Sequence, residues 1–267
     1  MNGDSALRQN HERVLARIAD ACEAAGRPRG SVRLLAVSKT FPASDVLALA
    51  ACGQRAFGEN YVQEALDKIA ACRDEWPETE AFPASRARQA GDGTDPGPPR
   101  LPLLLEWHFI GPIQSNKTRP IAGHFDWVHS VDRERIARRL AEQRPADRGP
   151  LQVCVQVNVS GETSKSGVAP DEAPALAGLC ASLPALRLRG LTAIPEPTDD
   201  VALQRRRFAE LRRLHERIRA ELEPGAAADF DTLSMGMSAD LEPAIAEGAT
   251  IVRIGTALFG SRPSRAG

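Results

Sequence analysis

Two periods of apolar residues alternate along the chain. Short runs rich in Val, Ile, Leu and Phe occupy 33–39, 55–59, 107–111, 126–131, 151–159, 188–194, 231–236 and 250–255. Runs of this length, bounded by polar or turn residues, predict buried strands. Between them apolar residues recur at helical spacing, which predicts helices over 43–52, 61–73, 115–123, 133–143, 171–182, 201–222 and 239–247. Another helix over 4–25 carries Val14, Leu15, Ile18, Ala19 and Cys22, and Gly26 stands where a left-handed cap would close it. The stretch 201–222 has the cleanest stripe. Leu203, Phe208, Leu211, Leu214, Ile218 and Leu222 share one face, and its arginines, Arg205 to Arg213, read as the solvated one.

Eight strands alternating with helices predict an α/β fold: a single (β/α)8 TIM barrel over 1–267, with an N-terminal helix. A doubly wound open sheet is the alternative. Residues 77–102 break the rhythm, with Pro77, Pro83, Pro96, Pro98, Pro99 and Pro102 and no apolar periodicity. They are expected to form a disordered surface insertion, and the tail after Gly260 reads likewise.

Composition narrows the function. The 34 Lys plus Arg nearly cancel 35 Asp plus Glu, which leaves no electrostatic footprint for nucleic acid. A local basic pocket for a small anion remains open. The five cysteines are odd in number and form no C-x-x-C pair, as in a reducing compartment. No apolar run reaches membrane-spanning length, and Met1-Asn2-Gly3-Asp4-Ser5 shows no secretory pattern. A cytoplasmic location is expected.

Candidate chemistry begins with Lys39, at the end of the strand-like run Arg33-Leu34-Leu35-Ala36-Val37-Ser38-Lys39, where Pro42 forces a loop. A cation held there loses hydration and its amine deprotonates more easily, which suits a Schiff base with a carbonyl compound. The plain alternative is a strand-end lysine reaching for water. Ser234, Gly236, Gly255 and Thr256 follow the last two strands, where a barrel often builds a phosphate cradle, although such residues are also ordinary turn chemistry. Arg253 lies inside the apolar strand Ile251-Val252-Arg253-Ile254 and needs an acceptor. That acceptor is a protein carboxylate or a ligand heteroatom. A nucleophilic lysine, an anion cradle and a buried arginine answer the aldehyde, phosphate and ring nitrogen of pyridoxal phosphate (PLP). A sugar-phosphate aldolase accounts for the first two but less readily for the third.

The motifs A-V-S-K at 36–39, F-G-E-N-Y-V-Q-E at 57–64, W-H-F-I-G-P-I-Q-S-N-K at 107–117, V-H-S-V-D at 128–132, Q-V-N-V-S-G-E-T-S-K-S-G at 156–167, L-S-M-G-M-S at 233–238 and V-R-I-G-T-A-L-F-G at 252–260 follow one another in order. In them the chain resembles the pyridoxal phosphate homeostasis protein family, related in fold to the N-terminal barrel of alanine racemase. The likeness spans nearly the whole chain apart from 77–102 and the last residues. It implies that Lys39 holds PLP as an internal aldimine and that Arg253 donates to the pyridine nitrogen. It implies that Ser234, Gly255 and Thr256 bind the phosphate, with Asn60 and Met235 against the ring. Met235 reads equally as a core residue. His108 is expected inside the barrel with its hydrogen bonds satisfied, Ser115-Asn116-Lys117 as a helix cap, and Lys165 as a solvated lysine or a second cofactor contact.

The resemblance further implies a protein that maintains intracellular PLP (vitamin B6) without a reaction of its own. PLP-requiring apoenzymes and free amino acids are then the expected partners, without nucleic acid or membrane. An amino-acid racemase or lyase is the alternative. Arginine at the ring nitrogen makes a shallow electron sink, and a racemase needs a second base, yet the sole tyrosine is Tyr61.

Overall fold

A computed structural model describes residues 2–75, 105–161 and 166–260. Lys165, the 77–102 insertion and the tail after Gly260 lie outside the described residues. The strands are β1 (Arg33–Val37), β2 (Ala56–Glu59), β3 (Glu106–Phe109), β4 (Trp127–Val131), β5 (Leu151–Gln156), β6 (Leu186–Thr192), β7 (Thr232–Ser234) and β8 (Ile251–Ile254). They pair in parallel in chain order and close into a barrel, with Leu35 of β1 opposite Arg253 of β8. The predicted (β/α)8 barrel is therefore the architecture, and the open sheet is excluded.

The helices are α1 (Asn2–Ala24), α2 (Ala43–Ala51), α3 (Val62–Glu75), α4 (Thr118–His124), α5 (Glu134–Gln143), α6 (Ala173–Ser182), α7 (Val201–Glu221), α8 (Pro224–Asp229), α9 (Leu241–Ala246) and α10 (Thr256–Phe259). The short α8 and α10 escape an apolar-period reading because neither is long enough to show a period. The stretch predicted as one helix over 115–123 divides into a 3₁₀ turn at Ser115–Lys117 and then α4. Neither segment has a side-chain cap at its start, so Ser115, Asn116 and Lys117 form the turn rather than cap a helix.

Strand alternation sorts side chains into two compartments. Outward residues such as Ala36, Phe57, Phe109, Val128, Leu233, Met235 and Val252 join Val46, Leu49, Ile136, Leu140, Phe208 and Leu211 of the helices in one apolar core. Burying an aliphatic or aromatic side chain there contributes about 1.5–3 kcal/mol. The lumen holds a separate small apolar cluster of Leu35, Ala56 and Ile251, with Ile110 against it. His108, His129, Ser234 and Arg253 are buried as well. Barrel interiors are usually filled by branched apolar residues, so a lumen this polar marks a special task.

At the N-terminal ends of the strands a cavity of about 780 Å3 is ringed by Arg33, Glu106, Asp126, Arg148, Arg189 and Asp231, among others. Its charges pair with one another: Arg33 with Glu106 at 2.8 Å, Arg148 with Asp126 at 3.0 Å, and Arg189 with Asp231 at 2.6 Å. Arg189 also lies 5.1 Å over the Trp127 ring. This polar floor closes the barrel at the end opposite Lys39.

Helix α1 packs on α2, α9 and α10. Arg17 grips Glu242 with two bonds of 2.5 and 2.7 Å and donates to the Ser238 carbonyl at 2.9 Å. Asn10 donates to the Leu258 carbonyl at 2.8 Å. The N-terminal helix thus braces the loops after β7 and β8. The five cysteines are free thiols. Among the described residues no helix is long and apolar enough to cross a membrane, and no cluster of His, Cys, Asp and Glu is arranged to hold a metal.

Candidate functional site

Of the expected site residues, Lys39, Asn60, Gly255 and Thr256 lie at the C-terminal rim, with Ser234 and Arg253 in the lumen below them and Met235 on the outer face, on or just after four strands that are neighbours in the barrel: β7, β8, β1 and β2. Lys39 is half-buried in the turn after β1, just past the strand's last residue, Val37. Thr40 beside it has φ of 70°, the sole positive φ outside glycine among the described residues. A β-branched residue in that region is strained by about 1–3 kcal/mol and persists only where its surroundings hold it.

Those surroundings come mainly from α3 and β2. Glu64 accepts the Thr40 N–H at 2.5 Å. Lys68 donates to the Ser38 carbonyl at 2.7 Å and to Glu59 at 2.6 Å, and it lies 3.2 Å from Glu64. Ser38 Oγ donates to Glu59 at 2.7 Å. Lys39 is therefore flanked on both sides by backbone pinned to charged side chains, the buried Lys68 at Ser38 and the half-buried Glu64 at Thr40. Glu59 is completely buried, and burial pushes its carboxyl above the usual range, against the pull of Lys68 and Ser38. Phe41 stacks on Phe259 at 4.7 Å, which ties the Lys39 turn to α10.

Asn60 follows β2 directly, and its Oδ1 is buried without a hydrogen-bond partner among the described residues. Gly111 lies against its backbone; a Cβ there would sit 2.2 Å from the Asn60 carbonyl oxygen, so only glycine fits. On the opposite side of Lys39, Gly236 turns the chain out of β7 with φ of 92°. A Cβ at Gly236 would meet Ala244 at 2.6 Å. Gly255 is half-buried and Thr256 exposed at the start of α10, whose leading backbone N–H groups precede any helical acceptor.

Arg253 points into the lumen and is 4 % exposed. Its Nη1 donates to Ser234 O at 2.5 Å and Ser234 Oγ at 2.8 Å, and its Nη2 donates to Ala193 O at 2.8 Å. No protein carboxylate among the described residues forms an ion pair with it, and burial brings its pKa down to about 10. Ser234 is buried below the rim, its hydroxyl engaged with Arg253 and, at 2.8 Å, with His129. Met235 faces outward into the apolar core with no exposed surface, the alternative that its sequence position allowed. His108 is buried and bonded through both ring nitrogens, as expected.

Sequence reasoning did not single out Glu59, Glu64, Lys68 or His129. The i,i+4 spacing of Glu64 and Lys68 on one helix face was a readable signal. Their contact with the Lys39 turn depends on how α3 docks, which no local pattern reveals.

The family model for the N-terminal domain of alanine racemase matches residues 9–263. The pyridoxal phosphate homeostasis protein of Pseudomonas aeruginosa is 56 % identical over 97 % of this chain and 96 % of its own length. The PipY protein of Synechococcus elongatus, in a structure with PLP bound, is 33 % identical with a TM-score of 0.71, covering 91 % of this chain and all of that one. Alanine racemase from Corynebacterium glutamicum is 17 % identical with a TM-score of 0.63, a likeness of fold covering 62 % of the racemase.

The clamp behind Lys39 makes a stability prediction. Lys68→Met strands the buried Glu59 carboxylate and is expected to destabilise the fold by about 3–5 kcal/mol. Adding Glu59→Leu removes the stranded charge and recovers much of the loss. Denaturant unfolding of the single and double variants measures this; equal losses in the two would show that the ion pair is not the issue.

Proposed function

The chain belongs to the alanine racemase N-terminal domain family, among the pyridoxal phosphate homeostasis proteins, and on that footing we propose that it binds PLP through Lys39 and helps to maintain the cell's supply of that cofactor. The observation that carries the reading is Arg253. A buried guanidinium with no carboxylate in hydrogen-bond or ion-pair contact among the described residues, Asp240 acting on it only through its charge, keeps N–H donors for an uncharged acceptor, and a pyridine nitrogen is such an acceptor. Asn60 Oδ1 and Thr40 Oγ1, both buried on the same rim without partners among the described residues, are further groups for a polar ring substituent to satisfy. The residues present fit the cofactor.

Lys39 would supply the amine that joins the cofactor, and Asn60 would lie beside the ring. Gly255 and Thr256 would meet the phosphate with first-turn N–H groups and a hydroxyl. Ser234 would act one step back, by holding Arg253. Met235 would back the site from the outer core. When bound, PLP supplies an aldehyde for amines and a ring that withdraws electrons.

A cofactor store without a reaction of its own is the reading we favour. Arg253 donates a hydrogen bond and has no proton-accepting role, so it leaves a ring nitrogen unprotonated and electron withdrawal weak. The sole tyrosine, Tyr61, is 55 % exposed, a poor position for a second base in a closed site. Free amino acids and PLP-requiring apoenzymes are then the partners, reached through an exposed rim. The free thiols suit a cytoplasmic setting.

Three outcomes test the reading. Lys39→Ala is expected to abolish the borohydride-fixed mass increment that wild-type protein shows after incubation with PLP; undiminished attachment at one site would remove Lys39 from the role. Thr256→Val is expected to weaken PLP by about tenfold, a typical charge-assisted hydrogen bond, while leaving pyridoxal nearly unaffected. Equal losses for both ligands, by equilibrium titration, would sink the phosphate assignment. Holo-protein incubated with each amino acid in deuterated water is expected to show little exchange at the α-carbon. Rapid exchange with one amino acid, lost in Lys39→Ala, would make the protein an enzyme.

A further inference from the structure

An unbroken line of polar contacts crosses the lumen from the floor to Arg253. Arg33 Nη1 meets Glu106 Oε1 at 2.8 Å. Glu106 Oε1 is 2.5 Å from His108 Nε2. His108 Nδ1 is 2.8 Å from His129 Nε2, and His129 Nδ1 is 2.8 Å from Ser234 Oγ. Ser234 Oγ accepts from Arg253 Nη1 at 2.8 Å. The line uses β1, β3, β4, β7 and β8, and its residues from His108 to Arg253 are at most 4 % exposed.

The two ends determine its sense. An ionised carboxylate can only accept and a guanidinium can only donate. Burial alone would raise Glu106, but the bonds from His108 and Arg33 outweigh it and bring its pKa down to about 2. Burial lowers the pKa of both histidines, that of His129 further because His108 and Arg253 lie close. With both rings neutral, one arrangement of protons makes every bond. Arg253 donates to Ser234 Oγ, Ser234 Oγ–H to His129 Nδ1, His129 Nε2–H to His108 Nδ1, and His108 Nε2–H to Glu106. A proton added to the pair would reverse the inner bonds. His129 would then donate to Ser234 and turn that hydroxyl hydrogen elsewhere.

We propose that Glu106, His108, His129 and Ser234 are positioning residues: a one-way hydrogen-bond chain, anchored at the barrel floor, that fixes which N–H groups of Arg253 are left for a ligand. Three of the five guanidinium N–H groups are engaged by Ser234 and Ala193, so Nε–H and one hydrogen of Nη2 remain. The chain explains why Ser234 is withdrawn from the rim and why two histidines occupy a lumen that apolar residues usually fill. It also makes the floor, remote from Lys39, part of the site. For the identity of the ligand, though not for the chain itself, the proposal rests on the reading that Arg253 faces the ring of PLP.

The test separates those two layers. In cofactor-free protein with ¹⁵N-labelled histidine and arginine, NMR is expected to show His108 and His129 as neutral Nε2–H tautomers at neutral pH and above. A coupling through the hydrogen bond should link His129 Nε2 to His108 Nδ1. Ser234→Ala, which removes only a hydroxyl, and His129→Phe are both expected to move the Arg253 side-chain resonances. With ring-¹⁵N PLP, both are also expected to shift the ring nitrogen signal, and Ser234→Ala to weaken PLP and pyridoxal alike by roughly tenfold. A charged His108 with His129 as the Nδ1–H tautomer would overturn the one-way chain. So would Arg253 and ring signals that stay fixed in Ser234→Ala while stability falls, since that is what a merely structural network would show. If wild-type protein takes up no PLP, the functional reading fails, and the cofactor-free spectra still decide the chain.

Discussion

A guanidinium does not give up its charge, and the barrel interior is organised around one. Arg253 is wholly enclosed, and burial lowers its pKa only to about 10. A buried charge left without hydrogen bonds destabilises a fold by several kcal/mol, so its neighbours have to be acceptors. The Ser234 and Ala193 carbonyls are turned toward it, and Ser234 places a hydroxyl there. That hydroxyl in turn calls for His129, and His129 for His108. One arginine thus dictates the character of a lumen that could otherwise be hydrocarbon. Stability is left to the outer layer, where the strands' other faces and the helices share one apolar core.

The rim is held by different means on its two sides. After β1 and β2, strain and buried charge do the holding: Thr40 is forced out of ordinary backbone space, and Glu64 and Lys68 keep the turn in place. After β7 and β8, small residues and bracing from outside do it, with Gly236 against Ala244 and the Ser238 carbonyl gripped by Arg17. The first side would carry a reactive amine, whose direction matters. The second would carry a cup for an anion, whose backbone exposure matters.

All eight strands and the long helices were legible because apolar periodicity survives docking into a barrel. Strand ends were less so. β1 stops at Val37 because the turn at Thr40 takes over, and β7 stops at Ser234 because Gly236 bends the chain. The rim positions of Lys39 and Asn60 followed from the strand pattern, and the buried position of Arg253 from its oddity within a strand. Ser234 and Met235 show where sequence adjacency misleads. They are consecutive, but alternation sends one into the lumen and the other into the helix layer. The Glu59–Lys68 pair and the histidine chain were invisible for another reason. Each joins elements whose approach depends on the closed barrel, and a single sequence carries no record of which side chains then meet.

Helix α1 has a bearing on how the molecule assembles. Its bonds to Glu242 and to the Leu258 carbonyl span 225 and 248 residues of chain. Contacts of such long range carry the largest loop-closure entropy and form late in folding. Much of the barrel can pair between sequence neighbours before the two ends of the polypeptide meet, and only that meeting completes the bracing behind the β7 and β8 loops. A half-folded chain would then have a sheet whose β7 and β8 loops lack their brace, and any anion cup there would be finished only in molecules whose first helix has docked on α9 and α10.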